Sequence, residues 1–348
     1  MNIKKSLPVI LLFFATGALA QQADLSLIPY RRGDLWGYAK ADLKVIITPK
    51  FAEAGLFSEG LASVKMGNKY GYINQLGQVE IPAKYTVARP FRKGYVPDLN
   101  KAGGDSILFA GVSLTENGTE ICIDKNGKTL FKCPAINENS VIENEGPVGN
   151  VVKQKNYTLK NNNGLFDKVM DDYQVAGSDE TFYIAVKNDL FGVFNTKYDT
   201  IVPFVYQSIK VNRLSSTPFL EVNKGGLSGI LKTDGKEIFA PKFQKLLALK
   251  ITDGDVYVIA RKDEQSYLKD VNNLDILPKS YSDIAFDQEG FILTGEDGLK
   301  GYYILDKNTI NPKYRELNRI AGTRYLFVKT TSGKPGYINT AGEEFFTE

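Results

Sequence analysis

The 348-residue sequence contains no histidine. That absence removes Ser-His-Asp and Cys-His nucleophilic catalysis, HExxH zinc chemistry and imidazole proton shuttles together. Tryptophan occurs once, methionine three times and cysteine twice. Two thiols without histidine make a poor ligand set, so no metal and no cofactor is expected. A dominant sign of charge is missing too: 43 Lys and Arg face 40 Asp and Glu. That balance, scattered along the chain, gives nothing to steer nucleic acid or an anionic membrane. No run beyond the first twenty residues approaches the length of a membrane span. What is abundant is glycine, at 32, with 19 tyrosines and 20 phenylalanines. This mix favours many strands and tight turns over long helices.

Residues 1–20 read as a secretory signal peptide. Lys4 and Lys5 form a basic start, Leu7 to Phe14 an apolar stretch, and Ala18-Leu19-Ala20 a small-x-small cleavage site. The apolar stretch is too short to span a bilayer. The expected mature chain starts at Gln21 and is exported, to the periplasm or the extracellular space. No cysteine near the cleavage site offers a lipid attachment point. Cys122 and Cys133, the only pair, suggest a disulfide in such a compartment. They flank the turn Asp124-Lys125-Asn126-Gly127. A two-residue loop there puts both thiols on one face, whereas a three-residue loop with a bulge puts them on opposite faces.

Internal repetition is the strongest signal. One motif is an apolar or aromatic residue, a glycine, then an aromatic or apolar residue. It appears as Trp36-Gly37-Tyr38, Tyr70-Gly71-Tyr72, Phe191-Gly192-Val193, Ser228-Gly229-Ile230, Lys300-Gly301-Tyr302 and Pro335-Gly336-Tyr337. Weaker copies lie at Asn163-Gly164-Leu165, Ile121-Cys122 and Tyr267. Three residues past this anchor an Asx often follows, as at Asn74, Asp124, Asp167, Asn195 and Asn339. With a glycine three residues later, as at Gly77 after Asn74, it predicts a type I turn closed by a left-handed glycine. A proline and an aromatic come next, as in Pro49-Lys50-Phe51, Pro82 with Tyr85, Pro241-Lys242-Phe243 and Pro312-Lys313-Tyr314. Proline has no N–H to donate, so it is expected to end pairing on that strand. The two residues after each anchor glycine are apolar and point to opposite faces, so both faces must be covered. The glycine is read as permitting close approach of an adjacent sheet. The repeat period is about 35 residues, giving eight or nine units.

These motifs resemble the WG-repeat family of bacterial proteins, most closely in Trp36-Gly37-Tyr38 through Phe57-Ser58-Glu59-Gly60-Leu61 and in the unit that follows. The resemblance spans most of residues 30–348 and implies a repeat scaffold used for binding, with no catalytic residues carried over. The expected fold is all-β: hairpins or three-stranded sheets stacked in tandem over residues 21–348, as a propeller-like ring or an open solenoid arc. Residues 97–187 depart from the pattern and read as worn repeats or as an insert, the usual place for specificity on a repeat scaffold.

Acidic residues give no catalytic pair. Asp171-Asp172 and Glu343-Glu344 are sequence neighbours and so point apart in a strand. Asp124-Lys125-Asn126-Gly127 and Asp253-Gly254-Asp255 lack the full calcium-loop series. Lys224-Gly225-Gly226-Leu227-Ser228-Gly229 matches neither phosphate-binding fingerprint. The expected function is a non-enzymatic exported scaffold binding a protein or cell-envelope glycan. An envelope assembly component is the second reading, and a carboxylate-dependent hydrolase with acids in a central funnel is the third.

Overall fold

The computed structural model describes residues 25–94, 106–133, 159, 164–175, 180–214, 218–250, 255–287, 289–305 and 308–348. The signal-peptide reading therefore lies outside the described residues, as does most of the Asn-rich stretch 137–163. The described chain is all-β. It forms eight small sheets in sequence order, spanning 28–51, 53–85, 87–132, 168–206, 208–243, 245–270, 283–314 and 316–339. Most have four strands rather than three. We call these, in chain order, the lead, second, anchor and bulged strands. In the second sheet they are Glu53–Ala54, Leu61–Met66, Lys69–Asn74 and Val79–Tyr85.

The extra strand arises from a hinge of one residue. After the aromatic that closes the bulged strand, Ala52, Thr86, Gln207, Gln244 or Ser282 bends the chain and the next lead strand begins. The hinge amide is already committed to the new sheet. Ala52 donates to Lys65 O, Thr86 to Ser113 O, Gln207 to Asn223 O, Gln244 to Arg261 O and Ser282 to Thr294 O, at 2.7–2.9 Å. No backbone donor is stranded at the corner.

The chain divides into two compact units, 1–144 with 316–348, and 145–315. In the first, one core joins the first, second and eighth sheets through Tyr38, Phe57, Ile73, Tyr325 and Phe345. Another joins the second and third through Tyr72, Ile81, Phe91 and Val112. In the first sheet the lead position is filled from far along the chain: Phe346–Thr347 pairs parallel with Ile28–Arg32. Arg31 is buried beside this seam. Its Nε donates to Pro335 O at 2.7 Å, its Nη2 meets Glu348 at 3.2 Å, and its guanidinium lies over the Phe346 ring. These contacts satisfy a cation that burial alone would heavily destabilise.

In the second unit the cores again fall between successive sheets. The fourth and fifth share one through Ile184, Val202, Leu220 and Leu231. The fifth and sixth share another through Ile230, Phe239 and Val258, and the sixth and seventh a third through Leu268, Tyr281 and Phe291. Turn residues add to this stacking. The left-handed turn glycines Gly77 and Gly127 face the side chains of Ile47 and Ile81 in the preceding sheet.

Candidate functional site

Gly37, Gly71, Gly229 and Gly301 sit against backbone of their own sheet, and Gly192 against the Phe204 ring of its own sheet. Tyr70 pairs with Tyr85 and Tyr72 with Ile81, so Gly71 alone faces three residues, Pro82, Ala83 and Lys84. Gly37, Gly192, Gly229 and Gly301 face bulges of the same length, containing Pro49, Pro203, Pro241 and Pro312. A Cβ on Gly71 would lie 2.5 Å from Ile81 O, and one on Gly229 would lie 2.8 Å from Phe239 O. On Gly37 and Gly301 it would strike Ile47 O and Ile310 O. Gly336 differs: a Cβ there would strike the Phe346 ring, on the strand that pairs in the first sheet. Two expectations are thereby corrected. At Gly37, Gly71, Gly192, Gly229 and Gly301 the close approach comes from the neighbouring strand and not from an adjacent sheet; of the anchors, only Gly336 is met from the strand of another sheet. The proline interrupts pairing without ending it, because the ladder resumes at the aromatic that follows. Tyr267 tests the rule from the other side. It stands at an anchor position, and there four residues, Leu277–Ser280, separate the contacts Ile276 to Leu268 and Tyr281 to Ser266.

The aromatics beside the anchors are structural. Both residues after the glycine are buried in each copy, from Tyr38 and Ala39 to Tyr337 and Ile338. Tyr38 donates to Gly55 O at 2.8 Å and packs on Phe57. Tyr72 donates to Arg89 O at 2.7 Å and packs on Phe91. Tyr302 is buried likewise, and Trp36 packs edge-on against Tyr337. Burial pushes the phenols of Tyr38, Tyr72 and Tyr337 well above the ordinary tyrosine range. They stay protonated at neutral pH, which leaves them unsuited to proton transfer.

Asn74, Asp124, Asn195 and Asn339 close turns as expected, each accepting two backbone amides through Oδ1. The acid of Asp124-Lys125-Asn126-Gly127 is thus spent on its own turn. Asp167 departs from the pattern: it precedes a lead strand and accepts from the Asn188 amide. Gly164 is a turn residue with φ +69, not an anchor. Gly225 and Gly226 form the turn between Phe219–Lys224 and Leu227–Lys232.

Cys122 and Cys133 are disulfide-bonded, with Cα atoms 5.1 Å apart. The turn at Asp124 is the longer kind, which by itself would put the thiols on opposite faces. A second extra residue, Leu130, lies between the pairs Ile123–Thr129 and Cys122–Phe131. Two extra residues restore parity, and Cys133 returns to the face of Cys122.

Among the described residues no group of His, Cys, Asp or Glu is placed to hold a metal ion. Adjacent acids are occupied locally: Glu343 accepts from the Asn339 side chain and Asp171 from the Asp172 amide. Charge is organised instead in cross-strand rows that end on the bulged-strand aromatic. In the second sheet the row is Glu53, Lys65, Tyr70, Tyr85. Lys65 bridges Glu53 at 2.7 Å, and the Tyr70 hydroxyl donates to the same carboxylate. In the eighth sheet Lys329 bridges Glu316 at 2.8 Å. The sixth sheet differs from these two. Its row is Lys245, Arg261, Ser266, Tyr281, with two exposed cations directly opposite each other. Over its far end Lys279 places Nζ 5.3 Å from the Tyr281 ring. Exposed Lys242 stands in the bulge just before the hinge that leads into Lys245. Sequence reading missed this group because Lys245 and Arg261 become neighbours only through strand register.

Residues 36–70 and 70–97 each match the family model described as WG containing repeat. Residues 36–97 carry two WG repeats. The matched residues run from the anchor strand of the first sheet through the whole second sheet and include the anchors Gly37 and Gly71. No curated protein matches the sequence. Among solved structures it is similar to BBS1N in complex with ARL6DN, at 12% identity and a TM-score of 0.23, over 51% of this chain and 66% of that one. It is similar to the dihydro-heme d1 dehydrogenase NirN, at 11% identity and a TM-score of 0.31, over 93% and 73%. It is also similar to the Dos1 propeller, at 13% identity and a TM-score of 0.24, over 84% and 80%. At these scores the likenesses carry no argument, and the fold rests on the WG sheets themselves.

Proposed function

We propose that this protein is an exported, non-enzymatic WG-repeat scaffold that binds a protein or cell-envelope glycan. The observation that carries the reading is the use made of its polar aromatics and acids. The repeated tyrosines are buried donors to backbone carbonyls, and the turn acids cap their own turns. What the repeat leaves at the surface is charge, turns and scattered apolar side chains such as Leu76 and Leu274. The disulfide suits an oxidising compartment. Among the described residues no helix is long and apolar enough to cross a membrane.

The test is capture from native envelope with the chain from Gln21 as bait, run beside an assay for hydrolysis of envelope polymers. A defined retained ligand without turnover is the expected result. Turnover that is lost on substitution of one acid would replace this reading with the hydrolase.

A further inference from the structure

We infer that the cationic row of the sixth sheet is a binding site for the carboxylate groups of an acidic glycan. This rests on the scaffold reading and names the ligand class for it. Three observations converge. Lys245 and Arg261 are directly opposed on adjacent strands, an arrangement that destabilises a sheet. The corresponding rows of the second and eighth sheets carry a glutamate against a lysine, with bridges at 2.7 and 2.8 Å. The fold thus offers a stabilising pair at this position, used in two sheets, where the sixth sheet sets two cations against each other. Lys242 and Lys279, which correspond to the lysines that most copies carry beside this aromatic, add two exposed cations around the opposed pair, one in the preceding bulge and one over Tyr281. The acids within two residues of the row are Asp263, Glu264 and Asp283, all exposed, and Asp263 faces Lys262 at 3.6 Å.

The ring at the end of the row argues against a nucleic acid. Tyr281 is only 3% exposed, so there is no open aromatic face for a nucleobase to stack on, as single-stranded nucleic acid binding needs. Arg261 supplies a planar fork suited to a carboxylate, and the lysines supply point charges that tolerate variable spacing. Successive stacked sheets lie about 10 Å apart. Lys242 of the fifth sheet and Lys279 of the sixth thus extend the positive surface along a linear polymer.

The deciding variant is Lys245→Glu, which installs here the acid–base pair of the other two sheets. The whole chain from Gln21 is titrated with polygalacturonate and, as a neutral control, dextran, at low and high salt. The expected result is binding of polygalacturonate over dextran, weakened by salt. In the variant that binding should fall roughly 10- to 30-fold, while Tm rises by about 1–3 °C. A merely structural role would not give loss of binding with gain of stability. Lys279→Gln should weaken binding without moving Tm by more than about 1 °C. Unchanged polygalacturonate affinity in Lys245→Glu would overturn the inference, as would tighter binding of a single-stranded oligonucleotide. Retention of dextran alone would overturn it and leave the scaffold reading standing. Retention of neither polymer would also overturn it, and envelope capture would then decide the scaffold reading separately.

Discussion

At the scale of single residues, the anchor glycine is fixed by sterics and not by backbone conformation. Gly229 is free of positive φ, yet a Cβ there would press on Phe239 O and Pro241 N at 2.8 and 2.9 Å. Gly33 is the converse, with φ +59 and open space around it. Gly229→Ala should therefore cost about 2–4 kcal/mol. Gly33→Ala should cost about 1–2 kcal/mol, both measured by denaturant unfolding. Near-equal costs would refute the distinction. The recurrence of Gly and of Pro-x-aromatic was plain in the sequence. That the two motifs touch was not, because the contact depends on a three-residue bulge whose register neither motif states. The cation pair Lys245 and Arg261, sixteen positions apart in sequence, was hidden for the same reason.

At the scale of elements, the turn chemistry was readable in advance. Asx followed by a left-handed residue closes the hairpins at Asn74, Asp124 and Asn339, and Tyr198 takes the left-handed position after Asn195. The fourth strand was not readable. Lead strands as short as Glu53–Ala54 and Val87–Ala88 have too few residues to show a period. The third sheet shows how two bulge-like insertions cancel, bringing Cys133 back to Cys122 across eleven positions. Replacing both cysteines with serine should lower stability by about 2–3 kcal/mol. The non-reduced protein should lose the same amount on adding reductant. A double variant as stable as the parent would show that strand pairing alone holds this hairpin.

At the scale of the whole molecule, burial of many phenols ties stability to alkaline pH. Tyr38, Tyr72, Tyr173 and Tyr337 are all raised, chiefly by desolvation. In the unfolded chain they ionise at about pH 10, while in the folded chain they stay protonated. Their contribution is complete below pH 10, and unfolding becomes easier as pH rises beyond it. Denaturant midpoints from pH 8 to 11 should fall only over the upper part of that range. A midpoint that holds steady through pH 11 would contradict the burial of these phenols. The tandem all-β character was legible from the anchors, turns and prolines together, since each recurs in step with the others. The bulged strand has one more consequence. It lies at the edge of its sheet, and there it combines a proline, an irregular ladder and in most copies an exposed lysine such as Lys50, Lys84 or Lys242. Each of these blocks edge-to-edge association with a foreign strand. The residues that define the repeat thus also guard it against growing into fibres, a standing hazard for any chain made of many similar sheets.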